Sequence, residues 1–324
     1  MTNTSICQWV NPVLYLSGYS IIAPIGFIMN SIALCLFVFV NKLRSPTIVY
    51  MKNLATADLL LACTIPLKIY TYMVDPSQVK TDVQLWICNI TGSFLLLNMY
   101  GSIFLLTCIS LDRYLAVCFP LRSRYFRQKA SWICAGVWVL NIISCVVNVS
   151  KGVSHSNRSC LDGHPTVVIM VGPTVGAIGF GFLLPLGIMM ISSVAMLRSM
   201  TQSQVVQTGL VNKVKVIRML ATNVIIFLLC FFPYHMVLFL FHFMDKCLLE
   251  EPYRITLLAA CCNTVLDPLT YYFTTETIKN VAPMSIGTLS TDTHHCARES
   301  IGGSNGTFGS NKYELSTDHS RGYV

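Results

Sequence analysis

This chain of 324 residues is poor in charge. Asp, Glu, Lys and Arg make up 11% of it, where a soluble domain carries about 25%. A surface so poor in charge excludes an ordinary water-soluble fold. Metal-binding spacings are missing as well: neither CxxC…CxxC nor HExxH occurs, which removes the usual zinc sites. The first dozen residues are polar and lack a basic start, so no cleavable signal peptide is expected. No internal repeat argues for a transporter, and no paired nucleophile and base argues for an enzyme.

What is present is apolar. Hydrophobic residues reach 54% and the mean hydropathy is +0.61, so the expected solvent is lipid. A helix needs roughly 20 apolar residues to cross a bilayer. Seven runs meet that length, at 13–40, 47–73, 85–118, 130–150, 167–197, 213–243 and 253–274. The expected fold is therefore all-α, a seven-transmembrane helix bundle over residues 13–280. An N-terminal arm (1–12) precedes it, and a tail (281–324) rich in Ser, Thr, Gly and His, with too little apolar surface to fold alone, follows it.

The net charge of +8 does not read as a nucleic-acid signal. The basic residues cluster in one set of loops: Lys42 and Arg44; Arg122, Arg124, Arg127 and Lys129; Arg198, Lys213, Lys215 and Arg218. The positive-inside rule places those loops in the cytoplasm. The N-terminus is then extracellular, the C-terminus cytoplasmic, and the chain a multi-pass protein of the plasma membrane. The glycosylation sequons at Asn3 and Asn157 fall on the outer side in this orientation. So do four of the 14 cysteines, Cys7, Cys88, Cys160 and Cys247, which allow three disulfide connectivities.

Ionisable groups inside a membrane are expensive and therefore informative. Asp58 lies in the middle of the second run and Asp267 deep in the seventh. Asn263 and Asp267 are four residues apart and share a helix face. Ser102 precedes Arg113 by eleven residues, roughly 16 Å along one face. Asp58, Ser102, Asn263 and Asp267 are expected to form one polar cluster, either a sodium or proton site or a hydrogen-bonded, partly protonated network. Asp112-Arg113-Tyr114 closes the third run at its inner end. Pro185, Pro233 and Pro268 bend the last three helices.

Together these residues resemble the rhodopsin-like G-protein-coupled receptors over about residues 12–280. Every helix has a landmark: Asn30, Asp58, Asp112-Arg113-Tyr114, Trp138, Pro185, Cys230-Phe231-Phe232-Pro233, and Asp267-Pro268 through Tyr271. The resemblance implies heterotrimeric G proteins as partners, with arrestin and receptor kinases acting through the tail. It implies that Asp112 holds Arg113 at rest and that helix six then swings outward. Arg113 would pack against the G protein, Tyr271 would turn inward, and Phe227 and Phe231 would be the packing switch beside Pro233. It also implies a Cys88–Cys160 disulfide and leaves room for an allosteric sodium ion, with no other cofactor. Phe231 and Asp267 replace the commoner Trp and Asn. With Cys7, Cys247 and Pro233-Tyr234-His235, they place the resemblance in the purinoceptor-like branch, near its lysophosphatidic acid receptors.

That branch holds a ligand phosphate with a basic residue where this chain has Lys68. Lys68 is about 15 Å above Asp58 on the helix. Arg254 and Lys246 supply further positive charge, and Tyr100, Tyr234 and His235 complete the candidate pocket. An anionic head group there, with its acyl chain among apolar residues, is the expected ligand. Snorkelling would explain Lys68 equally simply, and a neutral core role His235. A nucleotide receptor is the alternative, but Leu238 occupies the position where such receptors place a second cation. Retinal is excluded, because no lysine lies between Ile255 and Phe273 to form a Schiff base.

Overall fold

The computed structural model describes residues 12–40, 45–73, 81–119, 122–154, 171–202 and 213–281. The arm, most of the tail, Cys7, Cys160, Asn3 and Asn157 lie outside them, as do the side chains of Lys246 and Cys247. Among the described residues the structure is helical and contains no strand.

The first span is α1, Pro12–Cys35, which continues as a π-helical turn at Leu36–Val40. Next come α2 (Pro46–Met73), α3 (Thr81–Cys118), the short α4 (Arg124–Arg127) and α5 (Ala130–Ser154). The fifth span is α6 (Val171–Ile178), a π turn (Gly179–Leu183) and α7 (Leu184–Gln202). The sixth is α8, Lys213–Leu240, and the seventh is α9 (Lys246–Cys261) followed by α10 (Asn263–Val281). Six of these spans are long and apolar enough, by length and composition, to cross a membrane. The seventh is split by a turn at Cys262, whose N–H is shared between the carbonyls of Leu258 (3.2 Å) and Ala259 (3.1 Å).

Each helix shows two faces. In α1 the residues Tyr15, Tyr19, Ile22, Gly26, Asn30 and Ala33 are buried at the 3.6-residue period. Ile21, Ile25, Ile28 and Ile32 are exposed on the other side, where a bilayer supplies apolar solvent. Lipid tails give no hydrophobic drive between helices, so close packing holds the bundle together. Gly26 shows this: a Cβ there would lie 2.5 Å from the Thr264 methyl, so only glycine admits this contact between the first and seventh spans.

Two of the prolines, Pro268 and Pro185, have identifiable compensation. Pro268 has no N–H to offer the carbonyl of Thr264, four residues earlier. Asn30 Nδ2 takes that carbonyl instead, at 2.8 Å. Ahead of Pro185 the helix widens to the π turn, and the Leu184 N–H reaches Gly179 O five residues back. The second part of the seventh span, α10, runs unbroken to Val281.

Candidate functional site

Among the described residues, four clusters of buried polar or aromatic groups lie along the bundle. Lys68 marks the aromatic end of the bundle and Arg113 the basic end.

At the aromatic end Lys68 is 2% exposed, and its Nζ stands 5.5 Å from the centroid of the Tyr19 ring. The negative ring face meets the cation, an attraction of about 0.5–2 kcal/mol. Tyr19 and Tyr15 both stack on Tyr72, at 6.3 and 5.6 Å. The Tyr15 hydroxyl donates to Glu251 Oε1 at 2.8 Å and also feels the charge of Arg254. The first, second and seventh spans are thus joined around Lys68 and Arg254. Tyr19 and Glu251 were not legible as pocket residues. A tyrosine in an apolar run looks like ordinary core, and a glutamate near a helix start looks solvated.

Deeper, the rings of Tyr100 and Tyr234 meet His235 edge-on at 5.9 and 5.1 Å, and Phe182 stacks on His235 at 4.5 Å. The hydroxyls of Tyr100, Tyr234 and Tyr253 are linked by hydrogen bonds. His235 Nδ1 pairs with the Phe231 carbonyl at 2.8 Å, while its buried Nε2 has no hydrogen-bond partner. Gly181, in the π turn, lets Tyr100 approach; a Cβ there would lie 2.7 Å from the ring. Below, Phe227 and Phe231 meet edge-on at 5.5 Å, both fully buried, and Phe182 stacks on Phe227. Pro233 is half-buried nearby on the same helix. Leu238 is fully buried, as a core side chain.

At mid-bundle Asp58 is the hub. Its Oδ1 accepts from Asn98 Nδ2 at 2.8 Å and from the Thr264 hydroxyl at 3.3 Å, and its Oδ2 accepts from the Tyr271 hydroxyl at 3.3 Å. The carboxyl of Asp267 lies within hydrogen-bonding reach of Asp58 and also accepts from Asn263 Nδ2 at 2.8 Å. Ser102 is fully buried on the face of Asn98, one turn on, and makes no hydrogen bond through its hydroxyl. Asp267 Oδ1 and Asn263 Oδ1 are likewise buried without partners. Among the described residues no three His, Cys, Asp or Glu side chains group as metal ligands, so any cation here would rely on neutral oxygens beside the two carboxyls. Asn98 and Thr264 were missed by sequence reasoning. Asn98 shares a helix face with Ser102, one turn on, but that spacing does not mark it as the donor to Asp58.

At the basic end Asp112 and Arg113 are 4% and 8% exposed. The bond by which Asp112 is expected to hold Arg113 is present as an ion pair and not as a hydrogen bond. Arg113 Nη2 is 3.7 Å from Asp112 Oδ2, an ion-pair distance beyond hydrogen-bond reach. The bonds of Asp112 go instead to the Thr47 hydroxyl and to Arg127 Nε, the latter at 2.7 Å. Neighbouring residues on a helix point about 100° apart, so donors from other elements reach the carboxylate more squarely than Arg113 does. Tyr114 packs edge-on against Phe119 at 5.8 Å. Tyr271 lies against Phe37 and bonds to Asp58. Cys88, which faces the opposite end in α3, is disulfide-bonded.

A helical bundle with its charges gathered at these positions defines a seven-span receptor, and the family model of the rhodopsin-family seven-transmembrane receptors matches residues 29–271. The chain belongs to that family, the G-protein-coupled receptors of rhodopsin type. Human lysophosphatidic acid receptor 4 is 35% identical to it over 278 residues, covering 81% of this chain and 74% of its own length. Human lysophosphatidic acid receptor 6 is 32% identical over 296 residues, covering 84% and 83%. A purinoceptor of the chicken (Gallus gallus) is 32% identical over 282 residues, covering 79% and 83%. These relatives fall in the purinoceptor-like branch that the landmark residues indicate.

Proposed function

We propose that this receptor responds to an extracellular anionic lysophospholipid, with lysophosphatidic acid as the first candidate, and activates heterotrimeric G proteins at its basic end. The single observation that carries the reading is Lys68. A lysine 2% exposed, seated against the face of Tyr19, offers a cation to an anionic head group entering from the aromatic end. The rings of Tyr100, Tyr234, Tyr253 and Phe182 line the bundle below it, where an acyl chain would lie. The names of the two lysophosphatidic acid receptors among the relatives agree with this chemistry; that of the purinoceptor fits the nucleotide alternative. In this orientation the aromatic end is extracellular and the tail cytoplasmic, open to receptor kinases and arrestin.

The test is a dose–response in transfected cells with a G-protein dissociation readout. It uses lysophosphatidic acid, lysophosphatidylserine and a nucleoside diphosphate on wild type and Lys68→Ala. Lysophosphatidic acid should activate the wild type, and Lys68→Ala should weaken it by roughly 1.5–3 kcal/mol, one charge-assisted hydrogen bond. An unchanged curve removes the phosphate role from Lys68. A response to the nucleotide alone replaces the lipid reading, despite the apolar Leu238.

The cluster around Asp58 and Asp267 is, in the same reading, a site for sodium. Facing carboxyls need a proton or a cation between them. The unpartnered oxygens of Ser102, Asn263 and Asp267 are the hard donors a sodium ion takes. Sodium in place of potassium should weaken agonist binding to the wild type and leave Asp58→Asn indifferent. Equal sodium sensitivity in the two proteins would exclude the site.

A further inference from the structure

Both oxygens of Asp112 are already taken, and neither by its neighbour. Oδ1 accepts from Arg127 Nε at 2.7 Å, and Oδ2 accepts from the Thr47 hydroxyl. Arg113 is left with an ion-pair distance of 3.7 Å to Oδ2, and its buried Nε and Nη2 have no hydrogen-bond partner. Arg127 reaches Asp112 because its short helix is docked on the end of α3. The Ser123 hydroxyl donates to the carbonyls of Leu115 and Phe119, at 3.1 and 2.6 Å, and the Ser123 carbonyl accepts the Arg127 N–H at 2.9 Å. The contact is therefore anchored to the bundle at both of its ends.

We propose that Arg127 is a positioning residue for G-protein coupling: by occupying Asp112 it keeps the Arg113 guanidinium unlatched and available to an acceptor on the incoming G protein. Thr47 does the same work on the second oxygen. Removing Thr47 frees Oδ2, which lies about half an ångström beyond hydrogen-bond range of Arg113 Nη2; removing Arg127 frees Oδ1 and leaves the carboxylate free to turn toward Arg113. Asp112 then closes on Arg113 and locks it. The loss of coupling comes from this new bond and not from a lost contact with the G protein. The consequence runs against a simple lock: removing a charge partner of Asp112 weakens the receptor, and neutralising Asp112 restores it.

The experiment uses the full-length receptor in nanodiscs without agonist, and purified nucleotide-free heterotrimers of the four G-protein classes. Binding is measured for wild type, Arg127→Ala, Arg127→Lys, Asp112→Asn and the Arg127→Ala/Asp112→Asn double variant. Wild type should bind at least one class. Arg127→Ala should bind it about tenfold or more weakly, the scale of one charge-assisted hydrogen bond. Arg127→Lys should retain most of the binding, and the double variant should match Asp112→Asn. Unchanged or tighter binding by Arg127→Ala overturns the proposal. So does a loss that Asp112→Asn fails to restore, since that is the signature of a prop for the loop or of direct contact with the G protein. Failure of the wild type to bind any class also overturns it, because an unlatched Arg113 must be usable without ligand. Should Arg127→Ala not fold, Thr47→Val tests the other oxygen, with the same loss and the same rescue expected.

Discussion

At the aromatic end Lys68 rests on the ring of Tyr19, within stacked tyrosines from the first and second spans. At the basic end Asp112 is met by a hydroxyl from α2 and a guanidinium from α4, with a second guanidinium close by. The first arrangement shields a charge with polarisable rings of fixed shape. The second divides one carboxylate among several donors, and small movements can reassign them. Rings suit a site that must keep its form for a ligand. Competing hydrogen bonds suit a site that must change partners when helices move. Between the two, Asp58 binds together the second, third and seventh spans.

The comparison is broken most severely at Arg113. Arg113→Ala should abolish G-protein activation while surface expression, measured by antibody to an extracellular tag, stays near wild type. Retained signalling would mean that the basic end does not work through this residue. A smaller effect of opposite sign is expected at Asn223 in α8, which is 1% exposed and has no hydrogen-bond partner on either side-chain polar atom. A buried polar group without a partner costs about 1–3 kcal/mol, so Asn223→Leu should raise the melting temperature of the purified receptor. A lower melting temperature would show that the amide has a role in the resting packing. The smallest effect is expected at the aromatic end. Tyr15→Phe removes the hydrogen bond to Glu251, a partly exposed carboxylate, and keeps the ring stack on Tyr72. It should cost about 1 kcal/mol, and a loss much larger than that would show that the hydroxyl, and not the rings, holds this end together.

Much of the fold was legible because lipid imposes a simple rule. Each run of apolar residues long enough to span must form a helix, and each charge within it must have a reason. Asp58, Asp112, Arg113 and Asp267 stood out for that reason before any contact was known. Their partners did not. Thr47, Asn98, Arg127 and Thr264 are ordinary residues in their own segments. Nothing local marks Asn98 as a donor to an aspartate 40 residues earlier, or Arg127 as a rival to Arg113. The break at Cys262 was hidden as well, inside a run that reads as continuous.

Insertion into lipid is decided segment by segment along the chain. The spans, their number and the charges each must bury therefore follow from the order of residues alone. Which donor meets each buried charge is settled only when the helices pack. A helix turns about 100° per residue, and the π turns and prolines of this chain shift that phase partway along a span. A side chain's partner therefore depends on how neighbouring helices are rotated and seated against one another, a property of the packed bundle and of no single segment.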